Sequence, residues 1–128
     1  MAIKIQTQDT FIPVEIGDLT LKFDVSDDSL VTLRKKIDNI QKTSENINTK
    51  GDDSEVLESV KDVIRTAYDD VFGEGTYDKV YEISPSVIIT TQYFLDIGQG
   101  IGKEMDERGL TLSSHEKAKK YLQNKNKK

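Results

Sequence analysis

Between Ile64 and Glu107 the chain is apolar at helical spacing, but it is cut twice, at Gly73-Glu74-Gly75-Thr76 and at Ser84-Pro85. One continuous helix cannot survive either cut. Glycine adopts the positive φ that ends a helix, and proline lacks the N–H that continues one. The stretch therefore predicts three helices: one ending near Phe72, a short one carrying Tyr77, Val80 and Tyr81, and a long one from Pro85 to about Arg108. Ser84 stands where an N-cap belongs, with Pro85 at the first helical position. Val87-Ile88-Ile89 is among the most apolar runs and is expected in the core. Val87, Ile88, Thr91, Phe94, Leu95, Ile101 and Met105 share one broad face of the long helix, and Gly98 and Gly102 fall on it, with Gly100 between them. A mid-helix glycine is about 1 kcal/mol less favourable than alanine. Three of them predict close backbone contact with another helix, in the same chain or a neighbouring subunit, or a kink. A phosphate-cradling loop would need a strand before it and a Lys-Ser/Thr pair after it, and neither is present.

Upstream, Phe11–Ile16 and Leu19–Val25 flank Gly17-Asp18, a two-residue link of the kind that closes tight hairpins. Leu19, Leu21, Phe23 and Val25 alternate with Thr20, Lys22 and Asp24, which is the pattern of a half-buried strand. Pro13 marks its own strand as an edge. Residues 1–10 show only a weak alternation at Ile3 and Ile5, a frayed strand at most. Such a hairpin is not stable alone and must lay its apolar face on helices. Ser26-Asp27-Asp28-Ser29 opens the first helix, of about three to four turns, with capping residues and first-turn acids. Leu30, Leu33, Ile37 and Ile40 form a narrow seam on it. The seam is expected to pack on the hairpin. Its alternative use, with Gly98 and Gly102, is as a surface for a partner or for self-association. Lys42 to Asp53 is polar and reads as a mobile loop. Val56, Leu57, Val60, Val63, Ile64, Ala67, Val71 and Phe72 then make a core helix from Asp53 or Ser54 to Phe72, with Tyr68 just beside the stripe. Gly109 ends the long helix, and Ser114 is placed to cap a last helix through Leu122, ahead of a disordered 123–128.

The fold class that follows is α+β, mainly α. An N-terminal hairpin packs on a bundle of about four helices within residues 1–110, followed by a lysine-rich tail, 111–128, partly helical or disordered. The 128 residues suit one domain.

Charge divides the chain in the same place. Residues 117–128 hold six lysines and no acid, which leaves 12 basic and 23 acidic groups on the other 116 residues, a net of −11. An acidic body does not invite nucleic acid, and the lysine tail reads first as a solvated end. With no cysteine, a disulfide framework and a thiolate metal site are both excluded. The opening MAIKIQTQD lacks a signal pattern, and no apolar run approaches the roughly 20 residues of a membrane span. A soluble intracellular protein is expected. His115 is the only histidine and lies in the polar C-terminal link, so imidazole catalysis and zinc binding lack the needed company. No serine sits in a nucleophile elbow. Asp52, Asp53 and Glu55 miss the calcium-loop spacing, and Asp27-Asp28 and Asp69-Asp70 read as helix-start and solvated-face acids. Tyr68, Tyr77, Tyr81 and Tyr93 read as core or interface aromatics, since basic residues do not interleave with them. No catalytic residue, metal site or cofactor is expected, and the chain is not expected to be an enzyme.

Several of these patterns resemble the tail assembly chaperones of long-tailed phages that infect Gram-positive bacteria. The features are the hairpin around Val14-Glu15-Ile16-Gly17-Asp18 with Leu21-Lys22-Phe23-Asp24, then the helix from Leu30 to Ile40. Tyr68-Asp69 through Phe72-Gly73-Glu74-Gly75, Asp78-Lys79-Val80-Tyr81-Glu82 and the helix to Lys103-Glu104 complete them, spanning residues 11–108. The resemblance implies a small helical protein of the bacterial host's cytoplasm that coats the tape-measure protein and keeps it soluble during tail assembly. It also implies that tail-tube subunits replace the chaperone, that it is absent from the finished particle, that it self-associates, and that a longer frameshifted form can exist. An apolar surface, acidic charge and weak self-association agree with that role. A structural or head-tail completion protein of the virion is the alternative on the same fold. A small nucleic-acid-binding regulator using the lysine tail is the third reading.

Overall fold

The computed structural model describes residues 2–47 and 53–110, with side chains covered over 2–43 and 54–110. A two-stranded antiparallel hairpin, β1 (Phe11–Ile16) and β2 (Leu19–Asp24), is followed by four helices, α1 (Asp27–Ile47), α2 (Asp53–Phe72), α3 (Thr76–Ile83) and α4 (Val87–Glu107). The readings for Ser114 to Leu122, His115 and the lysine tail lie outside the described residues, as do those for Asn48 to Asp52.

The hairpin register pairs Ile12 with Phe23, Val14 with Leu21 and Ile16 with Leu19. All three apolar pairs thus share one face, as period two requires. That face lies on the helices: Phe23 is fully buried and its ring meets Phe72 edge-on, 6.2 Å between centroids. Ile3 and Ile5 are exposed and join no strand, so the frayed strand expected at the N-terminus is not there.

Ser26 caps α1, its hydroxyl accepting from the Ser29 amide at 3.4 Å, with Asp27 and Asp28 in the first turn. The helix is longer than its apolar seam predicts, 21 residues, and continues through Lys42–Ile47, which read as loop. Polarity does not end a helix. The first glycine or proline after Asp27 is Gly51, and ordinary polar residues disfavour helix by no more than about 0.7 kcal/mol each. Thr32 and Thr43 even return their hydroxyls to the carbonyls of Asp28 and Asn39. Helix α1 packs chiefly on α2, with smaller contacts to α4 and β2, and so leans less on the hairpin than expected.

Between α2 and α3 the chain turns on Gly73 (φ 117°) and Gly75 (φ 87°), backbone states that side chains resist. Gly75 offers α3 no capping side chain. Asp69 of α2 supplies one instead, its carboxylate accepting from the Tyr77 amide at 3.0 Å. Arg65 pairs with Asp78 across the same joint, and the Lys61 ammonium lies 4.1 Å from the Tyr81 ring centre.

The restart before α4 differs from the Ser84-Pro85 expectation. Ser84 closes α3, its amide bonded to the Val80 carbonyl at 3.0 Å. Ser86 is the N-cap of α4, accepting from the Ile89 amide at 3.1 Å. The preceding helix captures Ser84 first, so the new one begins after the proline. The buried face of α4 is Thr90, Phe94, Ile97, Ile101 and Met105. Ile88 is 74% exposed and Ile89 45%, so that part of the apolar run lies outside the core. The α4 helix ends in a Schellman motif, with Leu110 N–H on the Met105 carbonyl and Gly109 N–H on that of Asp106.

Candidate functional site

Two polar features organise the molecule, one buried and one open. In the core, Tyr68 and Tyr77 converge on Thr90. The Tyr68 hydroxyl donates to the Thr90 carbonyl at 2.7 Å, and the Tyr77 and Thr90 hydroxyl oxygens are 3.1 Å apart. Thr90 Oγ1 faces the Ser86 carbonyl at 2.8 Å and that of Val87 at 3.1 Å. A threonine has one hydroxyl proton, which these carbonyls claim, so Tyr77 must be the donor to Thr90. All three side chains are fully buried, and every buried side-chain nitrogen or oxygen among the described residues has a partner. Burial, foremost, pushes both phenols above their ordinary value. The cluster is a structural clamp of α4 onto α2 and α3. Tyr68 and Tyr77 are therefore core aromatics, as the sequence implies.

The open feature is a groove of about 620 Å³ between β1 and α4, lined by consecutive residues from Ile12 of β1 to Gly17 of the turn and by Tyr93, Asp96, Ile97, Gly100, Ile101 and Glu104. Strand and helix run antiparallel. The Arg108 guanidinium, at the end of α4, reaches the Asp9 and Phe11 carbonyls at 3.4 and 3.5 Å, while Gly17 lies beside Ile83, ahead of α4.

The hairpin ladder decides what this edge presents. Val25 N–H bonds the Thr10 carbonyl at 2.8 Å. Alternation then puts Ile12, Val14 and Ile16 in bonded pairs with β2, and turns the amides and carbonyls of Phe11, Pro13 and Glu15 outward. The start of that edge is closed. Phe11 N–H is held by the Asp9 carboxylate at 3.0 Å, and Arg108 covers the Phe11 carbonyl. Pro13 has no N–H. What remains are the Pro13 carbonyl and both backbone groups of Glu15, facing a trough with an apolar floor.

The rim is acidic. Glu104 is paired with Arg108 at 3.0 Å, and among the described residues Asp96 accepts only from the neutral Gln92 amide, also at 3.0 Å. Glu15 and Asp96 have no cationic partner among the described residues. No group of three or more metal-ligating side chains occurs among the described residues.

The residues singled out from sequence fare differently. Leu33 and Ile40 are core, and Leu30 and Ile37 pack against it, so the seam is not an open surface. Gly98 and Ile37 are brought together: a Cβ on Gly98 would lie 2.6 Å from Ile37 Cδ1. Close contact with a helix of the same chain explains that glycine. Gly102 stands apart, with nothing among the described residues within 4 Å of an added Cβ. The three glycines lie within one helix, and no phosphate-type loop forms. Nothing local in the sequence marks Glu15, Tyr93, Asp96, Ile97 and Gly100 as residues of one groove. Pro13 carried the one available signal, that β1 is an edge.

No described helix is long and apolar enough to cross a membrane. Comparison with the curated proteins finds no match, and neither does comparison with the solved structures. One family model matches residues 17–128, which takes in β2, all four helices and the lysine-rich segment. The chain thus belongs to DUF6673, a family of unknown function.

Proposed function

We propose that the protein is a non-enzymatic phage tail assembly chaperone that binds the tape-measure protein and keeps it soluble while the tail is built. The observation that carries this reading is the trough beside β1. It joins an apolar floor to three backbone groups that have no partner in the hairpin, so an apolar client segment can gain burial and hydrogen bonds together. Such a site binds chain segments and performs no chemistry on them. The client itself is suggested by the resemblance of residues 11–108 to tail assembly chaperones. That resemblance also suggests the host cytoplasm as the place of action, copies of the chain associating along the rod, and replacement by the tail-tube protein. The net of −11 outside the lysine tail favours solubility of the coated client.

The test is a pull-down of the tagged chain, after nuclease treatment, from cells expressing the parent phage genes. A very long, helix-rich companion is expected. Recovery of tube or connector proteins in its place would move the assignment to a virion component. Recovery of nuclease-sensitive material alone would move it to a nucleic-acid binder.

A further inference from the structure

The groove beside β1 has an occupant within reach. We propose that the lysine-rich segment 111–128 of the same chain docks in it.

Three observations converge. The first is where the segment starts. Leu110 follows α4 directly and packs against the core, and Arg108 beside it touches the first carbonyls of the β1 edge. The described chain therefore ends at the mouth of the groove. The second is length. From Glu104 back to Tyr93 the groove follows α4 for about 16 Å at 1.5 Å per residue. Eighteen residues behaving as a random coil would span roughly 23 Å, enough to reach the far end without being stretched. The third is charge. Six of the eighteen residues are lysines, and the nearby rim carries Glu15 and Asp96 without cationic partners among the described residues. Leu112, Tyr121 and Leu122 give the same segment apolar side chains for the floor. A tether of this kind holds the segment at about millimolar effective concentration, so even a millimolar intrinsic affinity leaves it docked about half the time.

The inference rests on the groove and not on the identity of any client. The chain has no cysteine, so Ala118→Cys and Asn124→Cys each create one attachment point for a nitroxide on the full-length, isotope-labelled protein. The measurement is the loss of amide signal at each residue near the label. Docking predicts greater loss at Glu15, Gly17 and Gly100 than at Gly109 and Leu110. It also predicts recovery of those signals in high salt and in the Glu15→Gln/Asp96→Asn variant. A loss that is strongest at Leu110 and fades along the chain from there overturns the proposal. So does a loss seen only when labelled and isotope-enriched chains are mixed, which would assign the groove to a second copy. The isolated protein suffices for this test. Its failure would leave the pull-down result untouched, and the reverse also holds.

Discussion

The phenol of Tyr68 on α2 donates a 2.7 Å hydrogen bond to the backbone carbonyl of Thr90 on α4, twenty-two residues away. A helical carbonyl already accepts within its own helix, so this second bond fixes where α4 lies on α2. Tyr77 fixes it again through the Thr90 hydroxyl. Since α4 forms one wall of the groove, the buried triad positions the open site.

Removing one member of that triad should cost more or less according to what is left behind. Thr90→Val keeps the shape but strands the Tyr77 hydroxyl in the core, an expected loss of about 1–3 kcal/mol. Tyr77→Phe leaves Thr90 bonded to the Ser86 carbonyl and should cost about 1 kcal/mol. The double variant should be less destabilised than the sum of the two, measured by urea unfolding of all four proteins.

Alkaline pH should unfold the protein through the same residues. Both phenols are held above the ordinary value of 10.0 by burial. Below about pH 10 the folded and unfolded states are both protonated, and stability is fully present. Above it the unfolded chain releases protons that the folded one retains. Stability then falls by about 1.4 kcal/mol per pH unit for each tyrosine, up to its folded pKa. Unfolding midpoints measured across this range should fall less steeply in Tyr68→Phe than in the parent.

The glycines of α4 should respond in opposite ways. Gly102→Ala meets open space and should stabilise by up to about 1 kcal/mol. Gly98→Ala gains the same propensity but drives its methyl into Ile37 Cδ1. In an Ile37→Val background, which lacks that atom, Gly98→Ala should become more favourable by about 1 kcal/mol. Thermal unfolding of the single and double variants would show it.

How much of this was legible in the sequence depends on how local each cause is. The hairpin was legible because period two and Gly17-Asp18 act within a few residues, and Ile12/Phe23 and Ile16/Leu19 pair as that pattern demands. The end of α1 was not, because helix continues wherever nothing breaks it. The expected face of α4 holds at Phe94, Ile101 and Met105, which are buried, but not at its start, where Ile88 and Ile89 of the apolar run are left in solvent. Thr90, polar and therefore passed over, is buried because two phenols from other helices need it. The groove joins Glu15 to Asp96, eighty-one residues apart, and only the tertiary fold could bring them together.

If the groove beside β1 holds the client, Gly100→Trp should block it. Gly100 lines the groove, and nothing among the described residues lies within 4 Å of an added Cβ, so an indole can fill the trough while the helix is kept. The measurement is the soluble fraction of the tape-measure protein co-expressed with either chain, alongside the unfolding midpoint of each chain. The parent is expected to keep the client soluble, and the equally stable tryptophan variant is expected not to. A tryptophan variant that protects the client as well as the parent would contradict this expectation.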